Sequence, residues 1–104
     1  MTRPDPASLT QLADLRAGID AIDTELMTLL AERLAHVDQV VKVKAQTGIS
    51  AAAPTRYAAV IDRVRTLATT AGFDADIAEN MWRAMIDALI AREKKVLGTE
   101  GDDA

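Results

Sequence analysis

Three cations on one stretch of this chain are spaced for more than solubility. Arg33 stands where the run Leu12, Leu15, Ile19, Ile22, Leu26, Leu29 calls for an apolar residue. A charge on a packing face is costly unless paired, so Arg33 calls for an anionic partner, either a protein carboxylate or a ligand. Lys44 follows eleven residues later. In a helix that is close to three turns, within about 20° of Arg33 around the axis and roughly 16 Å along it, so both line one groove. Arg16, seventeen residues before Arg33, points about 100° away and reaches a partner's groove rather than its own. Taken singly, each reads as an ordinary surface cation paired with an acid such as Asp20, Glu32 or Asp38. The spacing of the three together favours a shared site.

The elements that must position them are helices. The apolar steps of three and four from Leu12 continue to Val40 and Val43, predicting one long helix from about Leu9 to about Gln46, with Ser8 and Gln11 as a capping box and Gly48 as its stop. Its roughly 55 Å exceeds what one small chain can cover. Ile49 to Pro54 reads as a loop, with Pro54 opening a second helix over about Thr55 to Thr70 whose face is Val60, Ile61, Val64, Leu67 and Ala68, stopped by Gly72. Asp74 or Asp76 caps a third, along Ile77, Met81, Met85, Leu89 and Val96 or Leu97. The expected fold is all-α, three helices per chain, one long and two shorter, in an intertwined homodimer that buries the seam of the long helix. The domain is expected over residues 9–97, with flexible ends at 1–8 and 98–104.

Composition narrows the chemistry. The 104 residues are 49% apolar, enough for a folded domain and too few for two. No cysteine is present and His36 is the only histidine, which disfavours thiol chemistry and a conventional zinc site. The net charge of −4 disfavours a nucleic-acid binder. No apolar run approaches a membrane span and Met1 to Ala7 lacks the core of a signal peptide, so a cytoplasmic location is expected. His36 reads as a partly buried helix residue, Met81, Trp82 and Met85 as core, and Arg63, Arg65, Arg83 and Arg92 as solvated or paired.

The stretch LADLRAGIDAIDTELMTLLAERLAHVDQVVKVK, with Leu15-Arg16, Ile19-Asp20, Ile22-Asp23, Leu30, Arg33 and Lys44, resembles the first helix of the all-helical chorismate mutases and of the related isochorismate pyruvate lyases. The likeness runs on through Pro54 and Arg56 over about residues 9 to 97. It implies that Arg16 crosses a dimer interface to hold a substrate carboxylate and that Arg33 is the carboxylate clamp of its own subunit. Lys44 would bind the ether oxygen of the enolpyruvyl group, Arg56 would lie over the ring, and Glu93 would be the second donor to that oxygen. Tyr57 stands where many members carry an acid that contacts the ring hydroxyl, and Ala53 and Leu89 replace other polar contacts. Tyr57 is thus counted with Arg16, Arg33 and Arg56 as substrate-binding, and Lys44 and Glu93 as catalytic.

The implied reaction, a Claisen rearrangement of chorismate to prephenate in aromatic amino acid biosynthesis, is unimolecular. It needs no nucleophile, metal or cofactor, only a site that holds the compact conformer and stabilises charge on the breaking ether oxygen. Arginine forks suit two carboxylates and a lysine point charge suits the oxygen. Glu93 can donate only when protonated, so activity is expected to fall as pH rises. PTRY, without an acid after Arg56, is closer to the lyases, whereas Glu rather than Gln at position 93 leans away from them; the mutase reading is preferred. The alternatives are elimination of pyruvate from isochorismate to give salicylate, and a non-catalytic helical dimer or partner subunit of another shikimate-pathway enzyme. No nucleic-acid or membrane partner is expected.

Overall fold

The computed structural model describes residues 3–47 and 54–97, and these hold three α-helices: α1 (Leu12–Thr47), α2 (Pro54–Ala71) and α3 (Ala75–Leu97). The chain divides into two units, Met1–Asp38 and Gln39–Ala104. Among the described residues no helix is long and apolar enough to cross a membrane.

In the first unit, α1 starts three residues later than the capping-box reading placed it. Pro4, Asp5 and Pro6 hold a separate 3-10 turn over Pro6–Ser8, in which Asp5 accepts from the Ala7 amide at 3.0 Å. The Ser8 hydroxyl donates to the Asp5 carbonyl at 2.6 Å instead of capping the long helix. The first turn of α1 is built on the Gln11 carbonyl, which accepts from the amides of Asp14 and Leu15. Arg3, in the segment expected to be a flexible lead, pairs with Glu25 at 2.7 Å. None of residues 3–38 is buried: Leu12, Ile19, Ile22, Leu26 and Leu29 of the predicted seam all stand exposed, Leu26 at 47%. His36 is exposed rather than partly buried, its Nδ1 2.9 Å from the Glu32 carbonyl, a local contact one turn back along the helix.

The second unit contains the end of α1, where Val41 is buried, together with α2 and α3. Pro54 is the first residue of α2, as its fixed φ and missing amide suit. The helix closes in a Schellman turn: Gly72 takes φ 83°, its amide donates to the Thr69 carbonyl, and the Phe73 amide donates to the Ala68 carbonyl at 2.8 Å. Of the two candidate caps for α3, Asp74 is the one used, its Oδ1 accepting from the Ile77 amide at 2.9 Å. Gly48 and the 48–53 connection, with Ala53, and the 98–104 tail lie outside the described residues.

The core between α2 and α3 is Val64, Ala68 and Ala78, with Val60, Ala75 and Trp82 packed against it. Here the periodicity was right in part. Leu67, Ile77 and Met81, expected inside, are about half exposed, Met85 and Leu89 are half-buried, and Trp82, read as core, packs against the cluster that contains Ala78. Ala68 and Ala78 are buried in that cluster, and the larger apolar residues one step before them, Leu67 and Ile77, are left about half exposed. Both stripes repeat at helical spacing, so the pattern by itself does not distinguish them.

Candidate functional site

Lys44, in the last turn of α1, and Glu93, on α3, are brought into direct contact by the fold, although 49 positions separate them. The Lys44 Nζ lies 3.2 Å from Glu93 Oε1. Both are shielded, Lys44 with 18% and Glu93 with 8% of its side chain exposed. Despite the short distance, Oε1 accepts no hydrogen bond. The contact is an ion pair without a hydrogen bond, so the oxygen has a counter-charge and can still accept from an arriving donor. Glu93 is the one charged residue among the buried side chains described.

Arg56 is exposed in the first turn of α2. Beside it, Tyr57 is half-buried and its hydroxyl donates to Asp87 Oδ1 at 2.9 Å, with the Arg83 carbonyl 3.5 Å away. The Arg83 guanidinium lies over the Tyr57 ring, 5.6 Å from its centroid. Partial burial and the Asp87 acceptor both raise the phenol above its ordinary value against the opposing effect of Arg83, so Tyr57 is a donor at neutral pH. In the first unit, Arg16 is exposed and Arg33 half-buried, and Leu89 on α3 is half-buried.

A second polar group ties α2 to α3. The Arg65 guanidinium donates to Asp76 at 2.9 Å and to Glu79 at 2.8 Å, and Glu79 accepts again from Arg83 at 2.7 Å. Arg65 and Arg83, read as solvated or paired, are paired. Arg83 first and Arg65 second lower the Glu79 carboxyl below its ordinary value of 4.5. A carboxylate lowered in the folded state adds stability above its unfolded value and loses it as pH falls through the folded one. Glu79→Gln is therefore expected to melt below the parent at pH 7, with the gap closing as pH falls below the ordinary value of 4.5. Thermal melts followed by circular dichroism check this, and a gap that stays constant into acid contradicts it.

Asp87 is the residue that sequence reasoning missed. Its partner is thirty positions away on another helix, and no local spacing signals such a pair. Glu79 and Arg83, one turn apart on α3, were legible as a pair.

Residues 15–94 match the family described as chorismate mutase type II. The chain belongs to that family. Among its relatives, the T-protein of Haemophilus influenzae is 42% identical over 84 residues, covering 81% of this chain and 22% of that protein. This chain thus spans about a fifth of that relative's length. A chorismate mutase of Methanocaldococcus jannaschii is 32% identical over 89 residues, 86% of this chain and 90% of the relative. An isochorismate pyruvate lyase of Pseudomonas aeruginosa is 32% identical over 90 residues, 86% and 88%. The family's matched range contains Arg16, Arg33, Lys44, Arg56, Tyr57 and Glu93.

Proposed function

We propose that the chain is a chorismate mutase that converts chorismate to prephenate as a homodimer. The observation that carries the reading is the shielded Lys44–Glu93 pair with its unsatisfied carboxylate oxygen, in a member of the chorismate mutase type II family. Bond breaking and bond making occur within one molecule, so the protein's work is conformer selection and charge stabilisation. Lys44 leaves Glu93 to meet the ether oxygen as it gains negative charge. As Lys44 departs, the Glu93 carboxylate takes up a proton from solvent and becomes the second donor to that oxygen. Arg33 and Arg56 of one protomer hold the carboxylates and cover the ring, and Arg16 completes the site from the other protomer. The dimer is supported by α1, whose residues up to Asp38 bury nothing in the single chain.

A small, cofactor-independent reaction on a soluble metabolite suits a cytoplasmic location. The lyase reading is favoured by one feature, Tyr57 following Arg56, and by the Pseudomonas relative. Incubating the protein separately with chorismate and with isochorismate, while following prephenate, pyruvate and salicylate, distinguishes the two. Prephenate from chorismate is expected. Salicylate and pyruvate as the main products would replace the mutase by the lyase, and turnover of neither would leave a non-catalytic dimer. A rate that rises on adding a shikimate-pathway enzyme would identify the chain as a partner subunit of it.

The proton on Glu93 makes its own prediction. A carboxylate cannot donate, so kcat/KM for chorismate is expected to fall as pH rises, and Glu93→Gln, a donor at every pH, to flatten that profile. A parent enzyme whose rate ignores pH would remove the neutral-acid role.

A further inference from the structure

We infer that Asp87 is a positioning residue which, through the hydroxyl of Tyr57, holds the first turn of α2 and thereby aims Arg56. The inference rests on the reading of Arg56 as a substrate-binding residue. Two polar struts cross between α2 and α3. One is Arg65 with Asp76 and Glu79, near the Gly72 turn that joins the helices. The other is Tyr57 with Asp87, eight residues earlier on α2 and eight later on α3 than the Arg65–Glu79 contact. That equal spacing is the register of an antiparallel pair, and it sets the struts about 12 Å apart.

The apolar core cannot do the work of the second strut. The cluster of Val64, Ala68 and Ala78, with Val60 at its edge, lies towards the joined end, and of α2 no residue before Ile61 is buried, which leaves the first turn without a buried apolar anchor. The start of a helix also lacks half its backbone hydrogen bonds and frays readily. Its hold on α3 therefore falls to Tyr57, whose hydroxyl meets an anionic acceptor at 2.9 Å, a stronger bond than one between neutral groups. The ring is braced by Arg83, which is itself held by Glu79. Arg56 is the adjacent residue, exposed and about 100° further round the same turn. Any rotation or fraying of that turn swings Arg56. With its hydroxyl committed to Asp87, Tyr57 acts on substrate through Arg56 rather than by contact, a different role from the one the resemblance implies.

The test compares Tyr57→Phe, Asp87→Ala, their double variant, Asp87→Asn and, at the other strut, Arg65→Gln. The readouts are kcat and KM with chorismate and amide hydrogen exchange of residues 55–60. Tyr57→Phe and Asp87→Ala are each expected to raise KM about fivefold, the effect of one lost hydrogen bond, with kcat within about twofold. Both are expected to accelerate exchange at the start of α2, and the double variant to be no worse than either single one. Asp87→Asn keeps an acceptor oxygen but loses the charge, and should fall between the parent and Asp87→Ala. Arg65→Gln should lower the melting temperature and leave KM alone. Unchanged KM and exchange in Tyr57→Phe, which removes one oxygen and keeps the fold, would overturn the inference, as would an equal KM rise in Arg65→Gln. If the parent turns over neither chorismate nor isochorismate, it is the functional reading that fails. The tether then stands or falls on exchange alone, faster at 55–60 in support and unchanged against.

Discussion

Lys44→Met is expected to lower kcat/KM for chorismate by about a thousandfold, the effect of removing one preorganised donor from a shielded oxyanion site. Two consequences of the same substitution must be separated. In the proposed mechanism, removing the ammonium would take away the charge that meets the ether oxygen, and it also leaves the Glu93 carboxylate buried without the Lys44 counter-ion. The second effect alone costs about 3 kcal/mol and can unfold a small domain. The double variant Lys44→Met with Glu93→Gln separates them, because it removes both charges and restores a neutral interior. It should melt close to the parent and remain about a thousandfold slow. A folded double variant within tenfold of the parent rate would show that the pair holds the helices together and does no chemistry.

The second large effect belongs to assembly. The parent is expected to sediment at twice its chain mass of 11.1 kDa, and Leu26→Glu to abolish that dimer. Leu26 lies mid-way along a run of exposed apolar residues on α1. A carboxylate there would be buried against a partner with nothing to neutralise it. On the proposed two-protomer site, loss of the partner would remove Arg16 from it and leave the first part of α1 uncovered. Helical circular dichroism should therefore drop, and turnover should fall by about a hundredfold or more. Sedimentation equilibrium with a parallel assay checks both. A parent that is monomeric and fully active would remove the two-protomer site altogether.

Much of the local architecture was legible because it is written in short-range chemistry. Pro54 opens α2, Gly72 ends it with φ 83°, and Asp74 caps α3. Each acts within a few residues of itself. The start of α1 was misplaced for the same reason: Ser8 had an equally local competitor, the Asp5 turn, and took it. The inward face of α3 was legible only in part: Trp82 was read as core and packs against it, whereas Ile77 and Met81 were expected inside and Ala78 takes that place, since the two stripes share one period. Choosing between them depends on what α2 presents, Val64 and Ala68 of a different helix.

By itself, the sequence determined the helical class, most helix ends and the inventory of cations. Periodicity, capping and charge are properties of neighbours along the chain, and so are the residues that carry the family resemblance. Only the tertiary structure decided that Lys44 meets Glu93 at a distance without a hydrogen bond, and that Tyr57 is committed to Asp87. Those contacts join residues thirty or more positions apart, and they follow from how helices pack rather than from any spacing within one of them.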